Sequence, residues 1–243
     1  MKLYIIRHAQ STNNALANQR DRVYDPLLTE LGYRQADIVA RHVATGTDPE
    51  FVAGVSEEDT AADSRQGYNI SRLYCSAMQR SLLTARPIAE AMRIRPEIWV
   101  DIHEHGGIFL DHGGQQGIIG YPGKSRSEIL EEFPDYVLPD EVTEEGWWDP
   151  KRGMEDWPAC HGRAIKVAAT LREWAASQER VAIISHGGFI DALLKALTDQ
   201  LPSRQLYYHH YNTAITRIDF RPEGPLDIRY INRFDHLPPD LIS

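Results

Sequence analysis

The sequence has little cysteine, no long apolar run and a deficit of positive charge. Its 243 residues contain two cysteines, Cys75 and Cys160, and no apolar stretch approaches the length of a membrane span. Two cysteines without metal-ligand spacing exclude a disulfide framework and favour a reducing compartment. The 26 basic residues against 35 acidic ones give a net charge of −9, which argues against nucleic acid or an anionic membrane as the main partner. With no signal-peptide pattern at the start, these features predict a cytoplasmic protein.

The composition is otherwise that of a globular protein, with 42% hydrophobic residues. We expect a single domain over residues 1–243, interrupted by irregular excursions at about 45–69 and 106–160. The second excursion is rich in glycine and contains three tryptophans, Trp147, Trp148 and Trp157. Such a segment either needs a small core of its own or serves as a lid over a site.

Two histidines follow buried strands in the same local pattern. The apolar run 3–6 leads into Arg7 and His8, and the run 181–184 leads into Ser185 and His186 before a helical pattern. In a parallel α/β sheet the carboxyl ends of neighbouring strands form the crevice in which ligands bind. Both imidazoles are therefore expected to face one cavity, where free N–H groups at helix N-termini also favour an anion. An arginine, two imidazoles and helix N-termini suit a phosphoryl group.

A third turn from a strand into a helix follows the predicted strand 70–75. Arg80 comes shortly after it, in the first turn of a predicted helix. An arginine there is usually solvated, but its place at a strand end favours phosphate binding. A thiol-based phosphatase loop needs five residues between cysteine and arginine, whereas four separate Cys75 from Arg80 and none is glycine. Cys75 is therefore interpreted as a buried strand residue.

A histidine-rich segment raises a metal site as an alternative. His103, His105 and His112 lie within ten positions, beside Asp101, Glu104 and Asp111. Such a cluster has the donor types that a transition metal takes, although many clusters of this kind bond only to the backbone. In an extended segment His103 and His105 would point away from Glu104 or line the rim of its site.

Several of these stretches resemble one family. Arg7-His8-Ala9-Gln10-Ser11 with Asn14 resembles the Arg-His-Gly-(Glu/Gln)-(Ser/Thr)-x-x-Asn signature of the histidine phosphatase superfamily, also called phosphoglycerate-mutase-like. Ala9 replaces the usual glycine, which is tolerated unless the position needs a positive φ. The stretch from Ser76 to Arg80 resembles the family's Ser-x-x-x-Arg-Ala segment, with Ser81 in place of alanine. The resemblance covers nearly the whole chain except the two excursions.

The resemblance implies a three-layer α/β/α sandwich with a mostly parallel central sheet and an inserted lid region. It also implies a metal-independent enzyme of the histidine acid phosphatase type that needs no cofactor. His8 would be the nucleophile, and the segment around Glu104, which resembles the family's Leu-x-Glu stretch, would supply the proton donor. The residues expected to bind the phosphoryl group are Arg7, Arg80, His186, Asn14 and the backbone of Gly187.

Three functions remain open at this point. The first is a phosphomonoester hydrolase acting through a phosphohistidine on His8. The second is a cofactor-dependent phosphoglycerate mutase, but Glu104 is followed by His105-Gly106-Gly107 and Asn14 is preceded by Thr12-Asn13, which departs from the mutase pattern. The third is a non-catalytic module that binds phosphorylated ligands, although retention of all five reactive residues favours catalysis.

The expected partner is a small phosphorylated substrate, and the sequence leaves a homodimer open. Four basic residues of the second excursion are candidates to reach another anionic group on that substrate, although solvation is the simpler explanation for each. They are Lys124, Arg126, Lys151 and Arg152.

Overall fold

The computed structural model describes residues 1–48, 67–222 and 224–243, so most of the excursion expected at 45–69 lies outside the described residues. The strands are β1 Lys2–Arg7, β2 Arg72–Cys75, β3 Pro96–Ile98, β4 Phe109–Asp111, β5 Ile118–Gly120, β6 Arg180–Ser185, β7 Ile215–Phe220 and β8 Leu226–Arg233. The helices are α1 Glu30–Thr45, α2 Gln79–Met92, α3 Arg126–Glu132, α4 Trp157–Glu173 and α5 Gly187–Leu197.

Six strands form the central sheet in the order β3-β2-β6-β1-β7-β8. Strands β1, β2, β3 and β6 are parallel, whereas β7 pairs antiparallel with β1 and β8 antiparallel with β7. Strands β4 and β5 form a separate antiparallel pair within the second excursion. The predicted mostly parallel central sheet is therefore confirmed.

Helices cover both faces of this sheet. Alternate residues of β1 point to opposite sides, so that Tyr4 and Ile6 enter the core under α1 and α2, while Leu3 and Ile5 enter the core under α4 and α5. Every one of these four side chains is fully buried. A strand that is buried on both faces reads as a continuous apolar run, which is how β1 and β6 were identified in the sequence. The three-layer α/β/α sandwich is confirmed.

The sheet register brings the polar residues that follow β1, β2 and β6 to the same level. Strand β6 lies between β1 and β2, with Arg7 opposite Ser185 and Cys75 opposite Ile184. The residues that follow these strands therefore leave the sheet at the same edge. This edge carries the candidate site.

The sequence predicts an N-cap at Thr29, a kink or restart of a helix at Pro87 and an amphipathic helix over 162–177, and the structure differs from the last two. Thr29 caps α1 by accepting the N–H of Gly32, as its sequence predicts. Helix α4 begins at Trp157, five residues before the predicted start, because Asp156 caps it. Pro87 was expected to kink or restart α2, but the helix continues through it as one element because its buried face holds it to the core.

The second excursion contains β4, β5 and α3, and it packs on two buried tryptophans. Trp147 and Trp148 are almost fully buried. A Cβ at Gly107 would lie 2.4 Å from the Trp148 ring, and one at Gly123 would lie 2.3 Å from Trp147, so glycine is required at both places. Packing is thus the role of these two tryptophans. Within the described ranges, no helix combines the length and apolar character that a membrane crossing requires.

Gly32 joins α1 to the turn after β1. A Cβ at this position would lie 2.1 Å from the Gln10 carbonyl oxygen, a backbone atom that cannot move away without disturbing the site. We expect Gly32→Ala to lower the free energy of unfolding by about 3 kcal/mol, as overpacking does. Gly162→Ala is the matched control, because its Cβ would enter open space in a helix and should add about 0.5–1 kcal/mol. Urea denaturation of both variants measures the difference, and equal effects would contradict this account.

Candidate active site

His8 lies at the centre of the site, buried immediately after β1. Its Nδ1 lies 2.7 Å from the carbonyl oxygen of Ala9, and its Nε2 lies 3.2 Å from Nε of Arg80. Because a carbonyl can only accept, Nδ1 carries the hydrogen, and the lone pair of Nε2 accepts the N–H of Arg80. Burial, followed by the charges of Arg80 and Arg7, holds the pKa of His8 well below its ordinary value. The ring is thus neutral, with a fixed tautomer.

The loop around His8 is held by three other parts of the chain. Asn212 donates from Nδ2 to the His8 carbonyl at 2.7 Å, and the Ala9 N–H donates to Oγ1 of Thr84 at 3.0 Å. The His8 N–H donates to the Ser185 carbonyl at 2.9 Å. Ala9 does not adopt a positive φ, so alanine in place of the family's glycine is accommodated.

Arg7 and Arg80 bring positive charge to either side of the imidazole. Burial is the main cause that lowers the pKa of both guanidinium groups. Arg7 donates from one terminal nitrogen to the carbonyl of His210, while its buried Nε has no partner. A desolvated guanidinium with an unused N–H favours an anionic ligand.

His186 is the N-cap residue of α5 and is fully buried beside His8, with the ring centroids 4.9 Å apart. Its Nε2 lies 2.6 Å from Oγ of Ser76, whereas its Nδ1 has no partner. Burial, followed by the charge of Arg80, holds its pKa well below the ordinary value. The ring is therefore neutral in this structure, and the role of a charged donor to phosphate depends on the arrival of a dianion.

The Glu104 carboxylate lies against the N-terminus of α5. It accepts N–H groups from Phe189 at 3.0 Å, Gly188 at 3.3 Å and His105 at 2.9 Å. A Cβ at Gly188 would lie 2.7 Å from its oxygen, so glycine makes room for the contact. These amides, expected from the sequence to meet a phosphate, instead hold a carboxylate.

Asp25 is a buried acidic residue of the site that sequence reasoning missed. Its carboxylate accepts the N–H of Gln79 at the start of α2 at 3.0 Å and lies 3.9 Å from a terminal nitrogen of Arg80. Burial raises the pKa of Asp25 to about 6, against the opposing influence of Arg80. A turn followed by a capped helix was the only signal at this position, and it gave no reason to expect a counter-ion.

The remaining predicted residues differ in their placement. Gly187 is the first residue of α5 and lies beside Nε of Arg7, with 3.6 Å between that atom and a Cβ built on the glycine. Asn14 is exposed, and its Oδ1 accepts from the backbone and hydroxyl of Ser11. The neighbouring Asn13 lines the cavity instead. The structure therefore brings together Arg7, His8, Arg80, Glu104, His186 and Gly187. The side-chain oxygen of Asn14 is instead hydrogen-bonded to Ser11 within its own loop.

An open cavity of about 450 Å³ lies above these residues. Its floor includes Arg80, Glu104 and Gly188, and its mouth is lined by Arg22, Tyr24, Phe109, Trp157, Arg204 and Tyr207. The basic residues expected to reach a second anion, Lys124, Arg126, Lys151 and Arg152, do not line this cavity. Trp157 is thus the tryptophan of the second excursion that borders the site.

The three histidines considered as metal ligands point in different directions. The Nδ1 of His103 lies 2.7 Å from the Glu104 carbonyl, His105 stacks on Trp157, and His112 lies near the Tyr121 hydroxyl. In the part of the chain that the structure describes, no three His, Cys, Asp or Glu side chains are grouped as metal ligands. His105 lines the rim of the cavity.

Comparison with known proteins now places the chain in a family. A sequence model of the histidine phosphatase superfamily (branch 1) matches residues 52–232, well over half of the chain. The chain belongs to the histidine phosphatase superfamily. The match begins after His8, so the assignment of the first motif depends on the fold and the geometry above. A search of curated proteins finds no match.

Solved structures agree with this assignment along nearly the whole chain. Phosphoserine phosphatase of Entamoeba histolytica is similar with a TM-score of 0.59 and 18% identity, covering 98% of this chain and 99% of that one. A mycobacterial glucosyl-3-phosphoglycerate phosphatase gives 0.56 and 19%, covering 96% and 99%. The YhfR protein of Bacillus stearothermophilus gives 0.57 and 20%, covering 97% and 98%. At these identities the likeness shows the fold, and the superfamily membership makes the protein an enzyme of that superfamily.

Thr84 connects the His8 loop of this member of the histidine phosphatase superfamily to the helix of Arg80. Its hydroxyl accepts from Ala9 and donates to the Arg80 carbonyl at 2.7 Å. Thr84→Val leaves the Ala9 N–H buried and unpaired, so we expect the free energy of unfolding to fall by about 1–3 kcal/mol. The turnover number should fall by about tenfold as His8 loses its alignment.

The matched control is Thr170→Val, because Thr170 makes the same bond to a carbonyl four residues earlier in α4, away from the site. It should change stability by no more than about 0.5 kcal/mol and leave turnover as it was. Equal losses of activity in the two variants would refute the positioning role of Thr84.

The two buried imidazoles give a pH prediction. Because the pKa of each is well below its ordinary value, His8 and His186 should stay neutral as the pH falls below 6.5 in the substrate-free enzyme. The unfolded chain binds these protons more readily, so stability should fall as the pH drops below 6.5. Proton NMR of the imidazole C–H groups measures the pKa of each histidine in the folded and in the unfolded protein. A midpoint near 6.5 for either residue in the folded protein would contradict the prediction.

Proposed function

We propose that this protein is a phosphomonoester hydrolase that acts without a metal ion, through a phosphohistidine on His8. The observation that carries the proposal is the fixed tautomer of His8, in which Nδ1–H donates to the Ala9 carbonyl and the lone pair is on Nε2. That lone pair accepts from Arg80, which lines the open cavity, so a phosphoryl group that binds Arg80 would be brought to Nε2. The catalytic residues we propose are His8, Glu104, His186, Arg7 and Arg80.

In the first step Nε2 of His8 would attack phosphorus, and the bond from phosphorus to the leaving oxygen would break. Glu104 would give its proton to that oxygen. Three N–H groups hold its carboxyl group in place for this transfer. In the second step Glu104 would accept a proton from the water that attacks the phosphohistidine. Inorganic phosphate would leave and His8 would return to its neutral form.

Charge on the transferring group would be balanced by side chains. Arg7 and Arg80 provide fixed positive charge, and Nδ1 of His186 provides a further N–H when Nε2 accepts from Ser76. Such preorganised donors are a sufficient source of electrostatic stabilisation for phosphoryl transfer. This supports independence from metal ions.

Hydrolysis is favoured over mutase activity by the segment that follows Glu104. That segment turns back through Gly106 and Gly107, both at positive φ, into the wall of an open cavity that water can enter. The named relatives are a phosphoserine phosphatase and a glucosyl-3-phosphoglycerate phosphatase, which supports a small phosphomonoester as substrate. Cys75 and Cys160 are both unpaired and buried, which supports a reducing, cytoplasmic location.

A trapping experiment tests the proposal. The protein is mixed with a ³²P-labelled phosphomonoester in EDTA and quenched in alkali, which preserves phosphohistidine. Wild-type protein should carry label and release phosphate, and His8→Ala should lose the label and about 10⁴-fold or more in turnover. His112→Ala is the control, since this exposed histidine lies on the β4–β5 pair.

Three results would count against parts of the proposal. Label retained in His8→Ala would refute the nucleophile, and loss of phosphate release in EDTA would refute metal independence. Isomerisation of 3-phosphoglycerate without phosphate release would establish the mutase instead.

A further inference from the structure

The charge at the cavity mouth exceeds what one phosphoryl group needs. Arg80 and Arg204 both line the cavity, with Glu104 in its lining and Asp25 3.9 Å from Arg80. When Arg80 holds the phosphoryl group, the charge of Arg204 remains at the mouth, on the side where the leaving group would lie. A leaving group with its own negative charge would be attracted there.

Arg204 is held over an aromatic ring. Its guanidinium carbon lies 4.9 Å from the centroid of the Trp157 ring, which stacks in turn on His105 at 3.8 Å. Among the described residues, no carboxylate lies within ion-pair distance of Arg204. A guanidinium that packs on a ring keeps its outward N–H groups available for a carboxylate or phosphate.

The segment that carries Arg204 has no regular structure of its own. Residues 199–208, here called the strap, follow α5 without forming a helix or strand. Leu201 is 84% exposed, and Leu206 and Tyr207 are about half exposed, so apolar packing contributes little to its position. Tyr207 nevertheless reaches the floor of the site, where its hydroxyl lies 3.4 Å from a Cβ built on Gly187. Tyr208 packs on the core at the end of the strap, so the part before it depends on polar contacts.

A buried lysine on α5 supplies that support. Lys195 is 2% exposed, and its Nζ donates to Oδ2 of Asp191 at 2.7 Å and to the carbonyls of Ser203 and Leu206 at 2.6 Å each. The other oxygen of Asp191 accepts the N–H of Tyr208 at 2.9 Å. All three hydrogens of the ammonium group are therefore used, two of them on the strap.

The two carbonyls that Lys195 holds belong to the residues immediately before Arg204 and Tyr207. Fixing a carbonyl fixes the peptide plane that leads to the next residue. Lys195 therefore sets the backbone orientation of both residues. A buried ion pair is by itself weak support for stability, because desolvation offsets its attraction. The geometry indicates that this pair serves to orient the strap.

We infer that Arg204 selects substrates whose leaving group carries a second negative charge, and that Lys195 with Asp191 positions it through the strap. This inference rests on the proposed function, because it assigns the leaving-group side of the same cavity. Arg204 is the binding residue, and Lys195 is a positioning residue.

The test compares two ligands that differ only in that charge. 3-Phosphoglycerate has a carboxylate where glycerol 3-phosphate has a hydroxymethyl group. Binding is measured by calorimetry in the His8→Ala background, which cannot turn over. We expect 3-phosphoglycerate to bind about tenfold more tightly, as one charge-assisted contact allows, and Arg204→Gln to remove the difference. Arg41→Gln, an exposed arginine far along α1, is the matched control and should preserve the ratio.

Because this measurement needs no catalysis, its failure differs from failure of the proposed function. A hydrolase that binds both ligands equally, or binds neither, would overturn the inference while leaving the phosphohistidine step in place. A preference that survives in Arg204→Gln would also overturn it.

The positioning role is tested by Asp191→Asn with Lys195→Met in one chain. This double variant removes both buried charges together, avoids an unpaired carboxylate, and keeps an oxygen for the Tyr208 N–H. We expect the preference for 3-phosphoglycerate to fall about tenfold, with KM rising and kcat for that substrate changing by less than about twofold. Loss of kcat for both substrates with an unchanged ratio would mean a merely structural role.

Discussion

The guanidinium groups of Arg7 and Arg80 lie beside the imidazoles of His8 and His186, and burial is the largest cause lowering the pKa of all four. Because the pKa of each of these four groups is lowered, the site disfavours any further positive charge. The imidazoles therefore remain neutral, which is the form that the proposed nucleophilic role of His8 needs. A phosphoryl dianion reverses this balance, because it relieves the repulsion and restores the solvation that the cations have lost.

Two carboxylates offset the repulsion among these basic groups, and each is held at a helix N-terminus. Asp25 accepts from the first residue of α2, close to Arg80, and Glu104 accepts from residues 188 and 189 at the start of α5. The helix dipoles thus support the two carboxylates, and in the proposed mechanism the phosphoryl group is bound by side chains. The same contacts give Glu104 the defined position that the proposed proton transfer needs.

The sheet and the edge that holds the site could be predicted, because both follow from local physics. A strand buried on both faces must be apolar, and the polar residues that follow parallel strands must meet at one edge. Asp25 and Lys195 could not be found in this way. Asp25 meets the first residue of α2 across 54 positions, and Lys195 lies in the otherwise apolar pattern of α5. The residues that they contact are determined by how separate segments of the chain pack together. Pro87 failed as a signal for a related reason, since packing holds α2 together across it.

Helix α5 connects the chemistry of the site with the choice of substrate. Its first turn holds Glu104, while Lys195, seven residues after Gly188 and about 10 Å away at 1.5 Å per residue, holds the strap. A helix is stiff over this length, so Glu104 and the strap keep a constant separation. The two ends are still chemically independent, because the amides that bind Glu104 do not involve the lysine. With Glu104 as the proposed proton donor, sequence changes in the strap would alter which leaving group is accepted without moving that donor. One rigid helix would in this way serve the same reaction with different substrates.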